Sequence, residues 1–173
     1  MRLKAKHRLA ARLTAELPGA TALPFLVDLA TCEARLNTIK RFCDARRLHR
    51  RTLSSRCNRA GLPGPSDWLA AFRLVRIHAA LTESGRSTAD VVWLFHFSSV
   101  SALYRHVKRA TGYRVGDWRE IHTDAVIAWV IETMIAPHRG TLQRFRPVRT
   151  PVVDGPVVGR MRPGDSRPTK SAA

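Results

Sequence analysis

The side chains whose types and spacing most clearly indicate binding chemistry lie between residues 98 and 109. A helical spacing through this stretch places Leu103, Val107 and Ala110 on an inward face. The opposite face carries Val100, Ser101, Tyr104, Arg105 and Lys108. Arginine, lysine and hydroxyl side chains bond phosphate oxygens, and the planar fork of an arginine can also bond O6 and N7 of guanine. These residue types predict contacts with a nucleic acid.

Catalytic activity is not expected from this chain. The seven histidines are scattered and show no His-Glu-x-x-His spacing. There is no glycine-rich phosphate loop, no nucleophile elbow and no pair of carboxylates in an apolar setting. The sequence therefore predicts no catalytic residues, no metal site and no cofactor, and an enzyme is not expected.

Charge and composition favour a polyanionic partner. The net charge is +17, from 30 Lys and Arg against 13 Asp and Glu, and 45% of the residues are apolar. This combination indicates a folded domain whose first candidate partner is nucleic acid and whose second is an anionic membrane surface. No stretch approaches the roughly 18 consecutive apolar residues of a membrane span. The three cysteines form no Cys-x-x-Cys pair, which favours reduced thiols in a cytosol over a zinc site.

Helix signals divide the middle of the chain into two similar units. The first unit spans about residues 37–61, with Asn37 or Thr38 as the cap of its first helix. The second unit spans about residues 87–112, with Ser87 or Thr88 and then Ser98 or Ser99 as caps. Gly61 and Gly112 end the second helix of each unit. A long amphipathic helix over about residues 66–84 links the units, with Trp68, Phe72, Val75 and Ala79 inward and Arg73 and Arg76 outward.

The flanks differ in composition from this middle part. Residues 1–21 are predicted to be a basic arm, residues 22–136 a domain, and residues 137–173 a flexible basic tail. A last helix is predicted to start near Val115 and to continue through Ala136. Trp93, Trp118 and Trp129 are predicted to be core residues.

The repeated units carry a family resemblance. Thr38–Leu53 and Thr88–Leu103 share one layout of helix, turn and second helix. This layout resembles the DNA-binding domain of the AraC/XylS transcription regulators, and the resemblance is carried best by Gly85–Val92, Phe97–Gly112 and Trp118-Arg119. The resemblance implies an all-α fold, in which two homeodomain-like helix-turn-helix subdomains are joined by a long linker helix and flanked by flexible basic termini.

The resemblance also assigns roles to individual residues. Val100, Ser101, Tyr104 and Arg105 match family positions that face bases, and the corresponding set in the first unit includes Arg51, Ser54 and Ser55. Arg105 and Arg51 are the preferred base readers of the two units because of their planar forks. The residues expected to hold phosphates are Arg50, Arg56, Arg59, Ser98, Ser99, Lys108 and Arg109. For Ser98 and Ser99, helix capping is favoured over base reading.

The chain departs from the family pattern in its turns and in its length. Glycine is frequent in the turn of each unit, where this chain has Arg47 and His96, and Val115 stands where proline is common. Only the basic arm precedes the domain, so a pocket for an effector is not expected.

The sequence predicts a transcription regulator that inserts two recognition helices into successive major grooves of double-stranded DNA. RNA polymerase is a further candidate partner, no membrane is expected, and the expected location is the bacterial cytoplasm in association with the nucleoid. The alternatives are a sequence-neutral nucleoid protein, a DNA-docking accessory fragment of a recombinase, and a degenerate remnant with impaired docking. The operator, the direction of regulation and the oligomeric state are left open.

Overall fold

The computed structural model describes residues 4–147. This part of the chain is helical and contains no strand, so the all-α prediction is confirmed. In chain order the elements are α1 (Ala5–Glu16), α2 (Leu23–Thr31), α3 (Ile39–Ala45), α4 (Arg50–Arg59), α5 (Pro65–Thr82), α6 (Thr88–Leu94), α7 (Val100–Thr111), α8 (Val115–Arg119), α9 (Thr123–Val130), a π-helical turn (Ile131–Ile135), a 3-10 turn (Ala136–His138) and α10 (Arg139–Arg144).

Helix α5 is the centre of the core. It contacts α1, α2, α3, α4, α6, α8 and α9. Of the predicted inward residues, Trp68, Phe72 and Val75 are buried and Ala79 is half-buried. The predicted outward positions of Arg73 and Arg76 are wrong, because the helices that pack around α5 on several sides cover both side chains. Arg76 is buried and Arg73 is only partly exposed.

The N-terminal segment is a packed helix rather than a basic arm. In α1, Leu9 and Leu13 are spaced i, i+4 and are fully buried, as is Leu17 directly after the helix. This apolar stripe packs against α2 and α5. The prediction of an arm is therefore wrong for residues 5–16, because the high charge of this segment conceals a helical stripe of leucines.

Ion pairs hold the polar side of α1 against the rest of the fold. Arg8 bonds Glu83, and its Nε lies 3.0 Å from Oδ1 of Asp124. Glu16 at the end of α1 bonds Arg139 of α10. These contacts join α1 to three separate parts of the chain.

The segment after α7 also differs from its prediction. A continuous helix from Val115 to Ala136 is wrong, because α8 ends at Arg119 and α9 starts only at Thr123, after its cap residue His122. The predicted flexible tail is wrong for residues 139–147, where Leu142 and Phe145 are buried. The remaining tail, residues 148–173, lies outside the described residues.

The three tryptophans have different environments. Trp118 is buried, as predicted. The core prediction is wrong for Trp93, which is 80% exposed on α6, and for Trp129, which is 38% exposed on α9. Helical spacing alone did not identify which face of these helices meets α5.

Each pair of helices is built by the predicted local signals. Thr38 caps α3, Ser87 caps α6 and Ser99 caps α7, each accepting a hydrogen bond from the backbone N–H three residues later. In the turns α3–α4 and α6–α7, Arg47 and His96 both have a φ of 53°. This is the left-handed region, which costs a residue with a Cβ about 1–2 kcal/mol.

Glycine in these turns is expected to stabilise the fold. Arg47→Gly and His96→Gly should each raise the free energy of unfolding by about 0.5–1 kcal/mol, because the left-handed penalty exceeds the extra chain entropy of glycine. Urea unfolding measures the change. Arg47→Ala and His96→Ala are the matched controls, since they keep the Cβ and should give no gain. If alanine raised the free energy of unfolding as much as glycine does, the positive φ of these residues would not be the cause of the gain.

Candidate nucleic-acid interface

The second helix of the second pair, α7, is strongly amphipathic. Leu103 and Val107 are buried as predicted, whereas Ala110 is exposed and its inward placement is wrong. His106 is the next partly buried residue on the inner side, and its ring lies 5.4 Å from that of Phe97. The exposed side of α7 brings together Val100, Ser101, Tyr104, Arg105, Lys108 and Arg109. All the residues that the sequence analysis placed on this face of α7 are thus accessible.

The second helix of the first pair, α4, has a more cationic outer face. Leu53 and Cys57 are buried against the domain. Of the predicted contact residues, Arg50, Arg51, Ser55 and Arg59 are exposed, and Ser54 and Arg56 are half-buried. Arg56 donates from Nη1 to the carbonyl of Arg146 at 3.3 Å, so this side chain also contacts the C-terminal segment.

Two side chains beside these faces were missed by the sequence analysis. Asn58 is exposed on α4 and stands seven residues after Arg51, on the same helical face. That spacing could have identified it. Arg114 lines a cavity beside α7 together with Arg105, Lys108 and Arg109, and no acidic side chain lines this cavity. Nothing in the local pattern places Arg114 there, because it belongs to the segment before α8.

Hydrogen bonds give some of the predicted contact residues structural roles. The hydroxyl of Ser99 accepts the N–H of Ala102 at 3.1 Å, which is the favoured capping role. Lys108 donates from Nζ to the carbonyl of Gly112 at the end of α7. Ser98 and Ser101 are exposed beside them.

Arg73 of α5 positions the turn before α7. It donates from Nη2 to the carbonyl of Phe95, and its guanidinium carbon lies 4.4 Å from the ring centroid of Phe97. Burial, aided by the charge of Arg76, lowers the pKa of Arg73 to about 10. The side chain is still charged at neutral pH, so a cation–π contact fastens the α6–α7 turn to the central helix.

His78 fastens the other side of the second unit to α5. It is buried, its Nε2 lies 3.0 Å from the carbonyl oxygen of Trp118, and its Nδ1 lies 3.0 Å from the hydroxyl of Thr123. A carbonyl only accepts, so Nε2 carries the proton in the neutral ring and Nδ1 accepts from Thr123. Burial lowers the pKa of His78 below its ordinary value of 6.5, against the opposing effect of the bond to Trp118.

Stability is therefore expected to fall in mild acid. Below about pH 6.5 the unfolded chain binds a proton at this position more readily than the folded chain, so the free energy of unfolding decreases until the folded pKa is passed. Urea unfolding between about pH 8 and about pH 5 measures this loss. His78→Gln should reduce the dependence but not abolish it, because burial also lowers the pKa of His106, and His7→Gln on the exposed side of α1 is the control. An unchanged slope in His78→Gln would contradict the assignment.

Two further properties bear on the kind of site. Among residues 4–147, no group of three or more His, Cys, Asp and Glu side chains is placed to hold a metal ion. None of the helices in this part of the chain combines the length and apolar character that crossing a bilayer requires.

Two helix pairs, each with an exposed cationic or polar second helix, define a tandem helix-turn-helix protein. Residues 42–121, from within α3 to just after α8, match the family model described as a helix-turn-helix domain. The matched model is of the AraC type, and the match supports a DNA-binding regulator in general. No match was found among curated proteins or among solved structures.

Proposed function

We propose that the protein is a sequence-specific regulator of transcription that reads two DNA half-sites with α4 and α7. The observation that carries the proposal is the repetition itself. Both helix pairs end in a helix whose buried side is apolar and whose exposed side carries arginine and hydroxyl groups. One chain thereby offers two helices of the kind that enters a major groove.

We assign the residues on the second helix of each pair either to base contacts or to phosphate contacts. The base readers are Arg51, Ser54, Ser55, Val100, Ser101, Tyr104 and Arg105. The phosphate contacts are Arg50, Arg56, Arg59, Ser98, Ser99, Lys108 and Arg109. Val100, which is 38% exposed, can contact a thymine methyl, and the arginine forks of Arg51 and Arg105 suit guanine.

Helix α5 is proposed to set the spacing of the two half-sites. Its 18 residues span about 27 Å at 1.5 Å per residue. Successive major grooves on one face of DNA are about 34 Å apart. A buried helix of this length can act as a rigid spacer, since its side chains are fixed by packing on several sides.

Selection from a pool of random duplexes tests the proposal. The expected result is enrichment of a two-part motif whose halves lie about 10 base pairs apart. Enrichment of no motif, with binding that depends only on salt, would instead support a nucleoid protein that coats DNA. Strand cleavage or joining of the duplex would support a recombinase fragment.

The setting of the protein follows from its partner. Since the DNA of a bacterium lies in the cytoplasm, we place the protein there, in association with the nucleoid. RNA polymerase is the second proposed partner, because a regulator bound beside a promoter has to affect transcription through it. Helix-turn-helix domains of this type are DNA-binding modules, and catalysis is not part of the proposal.

A further inference from the structure

Arg76 of α5 is a buried arginine whose hydrogen bonding is only partly satisfied. It is 8% exposed, and its Nη1 donates to the carbonyl of Cys32 at 2.5 Å. Its Nε and Nη2 are also buried and have no hydrogen-bond partner in the protein. Buried charged donors without acceptors are unfavourable, and each such group in a folded protein calls for an explanation.

The two unpartnered nitrogens form one edge of the guanidinium. Nε–H and Nη2–H point in the same direction and can hold both oxygens of one carboxylate or phosphate group. The same chain shows this arrangement at Arg46, whose Nε and Nη2 donate to the two carboxylate oxygens of Asp28 at 2.7 and 2.6 Å. Arg76 presents the same edge at a more buried position.

Arg76 lines a cleft at the junction of several elements. The cleft lies between the start of α1, the segment after α2, the C-terminal half of α5 and the α8–α9 junction. Its other cationic residues are Lys4, Lys6, Arg86 and Arg119. Its acidic residues are Glu33, Glu83 and Glu120. Glu33 and Glu83 are bonded to arginines outside the lining, Arg35 and Arg8, and the five Lys and Arg residues outnumber the three carboxylates.

We propose that this cleft binds a small anionic molecule, and that Arg76 holds its carboxylate or phosphate group through Nε and Nη2. The cationic lining attracts the anion, and the apolar side chains of Ala79, Leu94 and Ile121 suit the organic remainder of the ligand. The two nitrogens are covered, so side chains at the cleft move when the ligand enters. No effector pocket was expected from the sequence, because only the basic arm precedes the domain, and Arg76 was separately placed on an outward face.

Calorimetric titration and thermal unfolding with inorganic phosphate, and separately with acetate, test the site at constant ionic strength with chloride as the reference. Saturable binding and a rise in Tm are expected for the wild-type chain. Arg76→Lys keeps the charge and one donor for Cys32 but loses the paired edge, so the Kd should weaken about tenfold or more. Arg86→Gln, on the exposed rim of the cleft, should weaken the Kd by a smaller factor. This variant tests the cleft even if Arg76→Lys fails to fold.

The control outside the cleft is Arg105→Gln, which should bind both anions as the wild type does. Its DNA affinity should fall, so failure of the anion site and failure of the DNA proposal are separate results. Equal anion binding by the wild type, Arg76→Lys and Arg86→Gln would overturn the proposal. A second pair of results would also overturn the proposal: neither anion binds saturably, and Arg76→Lys binds a short duplex more weakly than the wild type. The phosphate that Arg76 contacts would then belong to the DNA backbone.

Discussion

The double variant Arg51→Ala/Arg105→Ala is expected to lose most of its preference for the selected two-part site. Each bidentate contact with guanine contributes about 1–3 kcal/mol of discrimination, and contacts in separate half-sites add. The expected loss is therefore about 2–6 kcal/mol, or roughly 30-fold to 10⁴-fold in Kd. Titration of the selected duplex and of a shuffled duplex at one fixed salt concentration measures it. Each single variant should relax base preference in only one half of the motif, because Arg51 lies on α4 and Arg105 on α7.

Lys108→Ala is the matched control on α7. Its ammonium group reaches the end of the helix, where it donates to the carbonyl of Gly112. A phosphate contact there adds affinity without sequence information, so this variant should weaken the selected and shuffled duplexes equally. It should also reduce the slope of the logarithm of the binding constant against the logarithm of the salt concentration by about 0.9. If the double arginine variant binds the selected site as tightly and as selectively as the wild type, the base-reader assignment is wrong.

The exposed faces of the helix pairs could be predicted because they depend on local signals. Caps at Thr38, Ser87 and Ser99 and the terminators Gly61 and Gly112 fix where the helices start and end. Within those bounds, a period of 3.6 residues separates the inner and outer sides. The faces of α4 and α7 follow from these signals, except for Ala110, which was placed inward and is exposed. The chemical roles of their residues stay predictions.

The predictions that failed depend on contacts between distant segments. Arg73 and Arg76 look like solvated charges in the pattern of α5, and only the packing of neighbouring helices makes them buried. The bond from Arg76 to Cys32 joins residues 44 positions apart. No local spacing reports such a contact. The candidate anion cleft is consequently visible only in the structure.

Helix α1 shows how charge can hide a structural role. The segment is rich in Arg and Lys, which favours a phosphate-binding arm, yet its leucines are spaced for one buried stripe. Both properties are present in the sequence. Burial decides between them, because an amphipathic helix keeps its cations in water while its apolar side packs.

Leu13→Ala is accordingly expected to destabilise the whole domain. Leu13 is fully buried in α1, which packs against α2 and α5. Truncating a buried leucine to alanine costs about 2–5 kcal/mol, from lost transfer free energy and the cavity left behind. This is a large share of the roughly 5–15 kcal/mol that stabilises a typical domain. Urea unfolding should show a lower midpoint and a single cooperative transition.

Arg12→Ala is the control for this prediction because it changes the neighbouring residue on the exposed side of the same helix. Its ion pair with Glu16 spans 3.5 Å at the surface, so the loss should stay within about 1 kcal/mol. A flexible basic arm makes the opposite prediction: Leu13→Ala would leave stability unchanged, and Arg12→Ala would weaken DNA binding. Equal free energies of unfolding for the two variants would thus support the original prediction that this segment is a flexible basic arm. A difference of several kcal/mol would instead make α1 part of the core on which both helix pairs rest.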